Sequence, residues 1–242
     1  MKYKRIMLKL SGEVLLGRRE SGIDHKILEA LCREILEVKK SGVEIVIVIG
    51  GGNIWRFRDF KETGIERVTS DNIGMLATVM NGVAMQSMFE KLGVPCRVSS
   101  AINIPQIAEP YLRRKAIRHL EKGRIVICVG GTGSPFFTTD SAAALRALEL
   151  NCNVLLKATN VDGVYDKDPD EFKNAKMFSE ISYHKVLEMD LAFMDQSAVS
   201  LCKESNVPIL VFNLEKRGNI SRAVLGEKIG TLIREKPTVS PH

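Results

Sequence analysis

A chain of 242 residues with 45% apolar and 26% charged side chains has the make-up of a globular protein, not of a disordered or fibrous one. Its apolar runs, such as residues 43–49 with Glu44 inside, fall far short of the roughly 20 residues that span a bilayer. The net charge is +6, but aromatic residues are only 6% and no basic tract is interleaved with them, so nothing marks a nucleic-acid binder; a mild positive excess also suits a protein whose substrates are polyanions.

Strand and helix patterns alternate along the chain. The start is basic and then apolar, like the opening of a signal peptide. Lys9 interrupts it and no small-residue cleavage site follows, so residues 5–10 read as a first strand and the protein as cytoplasmic. Asp24 caps a helix whose apolar residues Ile27, Leu28, Leu31, Ile35 and Val38 recur at three and four, with Gly42 at its C-terminal end. Residues 43–49 are rich in β-branched side chains, as a buried strand requires, and run straight into Gly50-Gly51-Gly52-Asn53. A looser charged stretch covers 56–70. Asp71 then opens a long helix through Ile73, Leu76, Val79, Met80, Val83, Ala84 and Met88, closing near Gly93. A short strand at 96–98 precedes a helix between Leu112 and Lys122, whose Arg113-Arg114-Lys115 forms a solvated start. Residues 124–129 are a buried strand running into Gly130-Gly131-Thr132-Gly133-Ser134. A strong helix spans 141–151, with four alanines and three leucines, and a strand spans 154–158. Two helical stretches flank 189–197. A strand at 209–212, a helix at 220–225 and a last strand at 231–233 complete the pattern, and the last six residues form a tail.

Repeated strand–loop–helix units imply one α/β domain over residues 1–242, a mainly parallel sheet with helices on both faces. Cys32, Cys96, Cys128, Cys152 and Cys202 are odd in number and lack a C-x-x-C pair, so free buried thiols in a reducing compartment are expected. His25, His119, His184 and His242 have no metal-ligand spacing and read as surface or helix-end residues.

The chemistry gathers at strand ends, beyond which open α/β sheets bind ligands. Lys9-Leu10-Ser11-Gly12, Gly50-Gly51-Gly52-Asn53 and Gly130-Gly131-Thr132-Gly133-Ser134 each carry more glycine and hydroxyl residues than a simple turn needs. Lys157-Ala158-Thr159-Asn160 adds a lysine and a hydroxyl. Glycine lets backbone N–H groups approach a phosphate closely, and a following helix N-terminus favours an anion. There is no G-x-x-x-x-G-K-[ST], no G-x-G-x-x-G after the first strand and no protein-kinase set, which argues against P-loop enzymes, dinucleotide-binding dehydrogenases and protein kinases. Phosphoryl transfer needs positioning and charge neutralisation more than covalent chemistry, and strand-end lysines with Mg²⁺ supply both.

Five segments carry a family resemblance. They are Lys9-Leu-Ser-Gly-Glu, Val48-Ile-Gly-Gly-Gly-Asn, the helix opening Asp71-Asn-Ile-Gly-Met-Leu-Ala-Thr-Val-Met-Asn-Gly, Gly131-Thr-Gly-Ser-Pro-Phe-Phe-Thr-Thr-Asp-Ser-Ala-Ala, and Lys157-Ala-Thr-Asn-Val-Asp-Gly-Val-Tyr. Together the chain resembles bacterial uridylate kinases of the amino-acid kinase superfamily, from about residue 4 to 234. The first two segments are common to the superfamily; the third and fourth are specific to its UMP-using branch. The chain shows no appended regulatory domain, unlike aspartokinases.

The resemblance implies a three-layer α/β/α sandwich of the carbamate-kinase-like kind, with residues 1–130 mainly for UMP and oligomer contacts and 131–236 mainly for ATP. It implies reversible conversion of UMP to UDP with Mg·ATP, in line and without a phosphoenzyme, in pyrimidine nucleotide synthesis. Lys9, Asp140 and Lys157 would be catalytic, Asp140 organising the two lysines. ATP would be held by Lys9, Leu10, Ser11, Gly12, Gly52, Arg56, Thr159, Tyr165 and Asp168. UMP would be held by Gly51, Asp71, Thr132, Gly133, Ser134, Pro135, Phe136, Phe137, Thr138 and Thr139. Mg²⁺ would bind through the ATP phosphates and not through a protein cage. A homohexamer, activation by GTP and inhibition by UTP are also implied, with no membrane or nucleic-acid partner required. The segment tied to GTP control is here Gly17-Arg18-Arg19-Glu20-Ser21-Gly22, whose two arginines depart from the glycine-rich or acidic family pattern.

The side-chain chemistry agrees at several of these positions. A carboxylate at Asp71 suits ribose hydroxyls, which donate hydrogen bonds, though it equally suits a helix N-cap. Phe136 and Phe137 pack on the base or in the core. Two other classes stay open. One is a relative acting on a carboxylate or carbamate, such as an acetylglutamate kinase, against which the segment from Phe136 to Asp140 and the Asp71 helix speak. The other is a nucleotide-sensing regulator without catalysis, against which Lys9, Asp140 and Lys157 together speak.

Overall fold

The computed structural model describes residues 2–56 and 64–235. The predicted tail and residues 57–63 of the loose stretch lie outside them. In chain order the strands are β1 (Arg5–Leu10), β2 (Glu44–Ile49), β3 (Cys96–Ser100), β4 (Glu109–Pro110), β5 (Ile125–Val129), β6 (Val154–Thr159), β7 (Glu180–Ile181), β8 (Ile209–Asn213) and β9 (Thr231–Ile233). Among the described residues they form one sheet in the order β4-β3-β5-β2-β1-β6-β8-β9-β7, and only the β8–β9 pairing is antiparallel. The helices are α1 (His25–Lys39), α2 (Arg67–Lys91), α3 (Arg113–Glu121), α4 (Thr139–Glu149), α5 (Tyr183–Glu188), α6 (Gln196–Glu204) and α7 (Asn219–Leu225), with a 3-10 turn at Gly12–Leu15. The two-residue strands and the 3-10 turn carry no period that sequence patterning detects.

Side chains alternate across a strand, so each strand feeds two cores. Ile6, Leu8 and Leu10 of β1 pack with α1, α2 and α7, while Met7 packs on the opposite side with α3, α4 and α6. The result is the expected three-layer sandwich. By the same alternation Lys9 belongs to the α4 face, and so does Lys157, which stands beside it in register on β6.

The Asp24 cap forms as expected, its carboxylate accepting from the N–H groups of Lys26 and Ile27. Ile27 itself is 39% exposed and does not join Leu28, Leu31, Ile35 and Val38 in the core.

α2 departs more from expectation. It begins at Arg67 with Glu66 as its N-cap residue, so Asp71 lies inside the helix and is not its cap. Of the expected core residues, Val79 and Met88 are buried but Leu76, Met80 and Val83 are 36–57% exposed. Thr78, Asn81 and Gly82 turn inward instead, because this face crosses the glycine loops and needs small or hydrogen-bonding groups. A methyl group on Gly82 would come within 2.4 Å of Val129.

All five cysteines are free and buried, and burial pushes the Cys32, Cys128 and Cys202 thiols up to about 12. His119 closes the last turn of α3, with Nε2 2.9 Å from Glu109 and Nδ1 2.9 Å from Arg124. No helix among the described residues is long and apolar enough to cross a membrane.

Candidate active site

Parallel pairing brings the C-terminal ends of β5, β2, β1, β6 and β8 to one edge of the sheet. The three glycine loops and Thr159 therefore open on the same side. At the end of β1, Lys9 Nζ lies 2.6 Å from Asp140 Oδ1; at the end of β6, Lys157 Nζ donates to Asp140 Oδ2 at 2.5 Å. Asp140 reaches them from the first turn of α4, and all three residues are buried. Although close enough for an ion pair, Asp140 Oδ1 lacks an aligned hydrogen bond among the described residues.

Burial pushes the Asp140 carboxyl up, but the Lys9 and Lys157 ammoniums outweigh it and hold the group below the usual carboxylate range. Burial pulls Lys157 below the usual lysine range; Asp140 offsets this in part, and Lys9 adds to it. The site thus carries two ammoniums against one carboxylate.

Beside this triad lies a cleft of about 160 Å³ between α2, the β2 loop and the β5 loop. Of the residues expected to hold UMP, Gly51, Asp71, Ser134, Phe137, Thr138 and Thr139 line it. Thr132, Gly133, Pro135 and Phe136 belong to the same loop but not to the lining. Asp71 accepts from the Phe136 N–H at 2.9 Å and pairs with Arg67 at 2.8 Å. Phe136 is 67% exposed and has φ of 71°, a left-handed conformation unusual for an aromatic residue, which Asp71 helps to hold. Gly51 allows close packing against α2: a methyl group there would lie 2.7 Å from Ala77 Cβ and 2.8 Å from Gly74 O.

The residues expected to hold ATP fall into two groups. Ser11 caps the 3-10 turn, Gly12 packs against Asn53 and Gly50, and Leu10 is wholly buried with its carbonyl accepting from the Gly50 N–H at 2.9 Å, so it reaches no ligand in this arrangement. Arg56 is tied to Gly52 O at 2.7 Å and to Glu13 at 2.9 Å. Thr159 ends β6 and bonds Val161, Tyr165 bridges to Met177, and Asp168 accepts from the Asp170 N–H in a turn. The last two lie further along the loop after β6. The segment from Gly17 to Gly22 sits against the β2 loop, where Gly22 N–H donates to Asn53 O at 2.8 Å.

Ser70, Gly74, Met75, Thr78 and Gly131 also line the cleft without having been expected there, and two further residues that sequence reasoning missed bear on the chemistry. Trp55 lines the cleft and donates its indole N–H to Ser70 at 2.8 Å. Asp195 precedes α6, accepts from the Thr138 hydroxyl at the start of α4, and its charge favours protonated Lys157. A lone tryptophan beside a glycine loop was a usable signal for the first; nothing local marked the second.

The Amino acid kinase family model matches residues 4–213. The chain is 51% identical over 234 residues to the chloroplastic uridylate kinase PUMPKIN of Arabidopsis thaliana, covering 96% of this chain and 69% of that one. The structure of a UMP kinase from Bacillus anthracis superposes with a TM-score of 0.95 at 40% identity, covering both chains fully. A UMP kinase from Ureaplasma parvum superposes at 0.91 and 37% identity, over 97% of this chain and all of the other.

Proposed function

We propose, from the premise that this chain belongs to the amino acid kinase family, that it is a UMP kinase moving the γ-phosphoryl group of ATP onto UMP, reversibly, in the synthesis of UTP and CTP. The observation that carries this reading is the Lys9–Asp140–Lys157 cluster standing beside a cleft whose lining combines phosphate-type donors with the Asp71 carboxylate.

The residues divide the work. Lys9 and Lys157 offset the charge of the transferring phosphoryl group, and Asp140 keeps both ammoniums at one point. The Gly51 and Gly52 N–H groups and the N-terminus of α4 supply donors to phosphate oxygens. Asp71 accepts from the ribose, and Phe137 with Trp55 offers flat apolar surface to the base. Nothing here needs a phosphoenzyme, and the adjacency of cleft and lysines favours direct in-line transfer.

The donor set suits a Mg²⁺ that arrives on ATP. Both Asp140 oxygens face lysines and Asp195 gives one oxygen to Thr138, so phosphate oxygens remain as the hard ligands the ion requires. When bound, Mg²⁺ neutralises the triphosphate and orients it.

The exposed apolar stripe of Leu76, Met80 and Val83 on α2 supports self-association, and a homohexamer is the assembly we propose. The contact of Gly22 with the β2 loop supports coupling of residues 17–22 to the site, and we propose GTP as an activator acting through that segment and UTP as an inhibitor, as the family resemblance implies. Five free buried thiols suit a reducing compartment, and a cytoplasmic setting is proposed on that ground. UDP formation from UMP and Mg·ATP tests the reading, with CMP, glutamate and carbamate as rival acceptors and with GTP and UTP added in turn. Turnover of carbamate without turnover of UMP overturns it.

A further inference from the structure

Resting on the kinase reading above, we infer that Asn81 and Asn53 are positioning residues that aim the Gly51 and Gly52 N–H groups at the transferred phosphate. Both side chains are buried, at 0% and 2% exposure. Their carboxamides exchange two hydrogen bonds, Asn53 Nδ2 to Asn81 Oδ1 at 2.9 Å and Asn81 Nδ2 to Asn53 Oδ1 at 2.7 Å. Each amide has one further N–H. That of Asn53 goes to Gly22 O at 2.9 Å, and that of Asn81 to Gly50 O at 2.7 Å. All four amide hydrogens are therefore spent inside the protein.

The consequence lies in the peptide geometry. In a trans peptide the carbonyl and the next N–H point in opposite directions, and no peptide bond among the described residues is cis. Asn81 holds Gly50 O, so the Gly51 N–H turns away from Asn81. Gly51 O accepts from Ile54 and Trp55, and Gly52 O from Arg56. The carbonyls of this loop are thus all engaged, whereas among the described residues the Gly51 and Gly52 N–H groups have no acceptor. Gly51 lines the cleft. The direction of its donor is set by a side chain on α2, the helix that also carries Asp71 to the cleft and holds the Gly130 N–H through Thr78 at 2.8 Å.

Two substitutions test this. In Asn81→Asp an oxygen replaces the amide nitrogen and faces Gly50 O and Asn53 Oδ1, so the Gly50 peptide has to turn. Asn81→Ala removes the donor without adding a repelling group, and water can follow. With kcat read well below each thermal midpoint, Asn81→Asp is expected to lose about 10²–10³-fold, the scale of losing one aimed donor, and Asn81→Ala about tenfold, since water can partly hold the peptide. Asn153→Ala is the stability control: its side chain caps the Lys4 and Arg5 N–H groups at the far end of β1, and its kcat should stay within about twofold of the parent. Folded Asn81 variants turning over within about threefold of the parent overturn the inference. If Asn81→Asp does not fold, Asn81→Ala decides alone. If the parent makes no UDP, the functional reading falls, and ATP affinity decides instead: a loss of about tenfold in Asn81→Ala supports the aimed loop and an unchanged affinity refutes it.

Discussion

Asp140→Asn is the sharpest perturbation of this site. The substitution keeps shape and removes the only carboxylate that forms an ion pair with Lys9 and Lys157 among the described residues, leaving two buried ammoniums side by side. Removing one partner from a buried ion pair costs about 3–5 kcal/mol. The protein has one escape, to release a proton from one lysine, which at pH 7 costs about 4–5 kcal/mol from an ordinary lysine pKa. Both routes give a similar ceiling. A loss of about 3–5 kcal/mol in a chain of this size lowers Tm by roughly 6–20 °C.

The pH dependence identifies the cause. A lysine whose folded pKa is depressed binds its proton less well folded than unfolded, so stability rises as pH climbs from the folded pKa toward 10.5. Lys157 already sits below the usual range in the parent protein, and the variant lowers it further. The difference between the parent and Asp140→Asn should therefore shrink between pH 7 and pH 10. Asp140 itself is held below 3.8, so its own contribution is full at neutral pH and lost only in acid. Chemical denaturation at several pH values reads both effects. A variant as stable as the parent at pH 7, or a deficit that does not change with pH, refutes the charge-pair account.

Three further outcomes follow from the same geometry. Lys9→Ala should remain folded and lose about 10²–10³-fold in kcat, as for removal of an aimed charged donor, and near-normal turnover removes Lys9 from the chemistry. Gly51→Ala brings a methyl group 2.7 Å from Ala77 Cβ, so the β2 loop must retreat from α2. A stability loss of about 1–3 kcal/mol with a larger fall in turnover is expected, and an unaffected enzyme shows that the loop does not bind phosphate. Asp71→Asn weakens the carboxylate that meets Phe136 N–H and lines the cleft. It should raise KM for UMP by about tenfold while leaving KM for ATP alone, and steady-state kinetics with both nucleotides varied would expose any other pattern.

What the sequence made legible was what has a short-range signal. Strands β2 and β5 are β-branched runs with glycine close to both ends, β1 and β6 are short apolar runs each interrupted by a lysine, and each ends within a residue or two of its expected place. The buried face of α2 was not legible, because apolar residues occur almost all round that helix and periodicity has nothing to select on. Tertiary needs chose Thr78, Asn81 and Gly82, since each answers a specific backbone group or a close approach of another strand. Asp195 was invisible for a related reason: its partner Thr138 is 57 residues away, and no local pattern joins them. The role of Asp140 came from the resemblance alone, whereas alternation along β1 and β6 explains physically why Lys9 and Lys157 share its face.

The topology gives a reason for two substrates. A crevice opens where adjacent parallel strands send their connections to opposite faces of the sheet. β1 and β2 lead into α1 and α2 on one face, whereas β5 and β6 lead into α4 and then α5 on the other. In the observed order β5-β2-β1-β6, this reversal occurs twice, between β5 and β2 and again between β1 and β6. The first crevice holds the cleft with Gly51, Asp71 and Thr139. The second is flanked by Ser11 and Gly12 on one side and Thr159 on the other, with Lys9 and Lys157 at its base. α4 starts at the first crevice and carries Asp140 to the lysines of the second. A hydrolase needs only one such opening. Two openings two strands apart, joined by a helix whose first turn touches both, are what a phosphoryl donor and acceptor require to meet end to end.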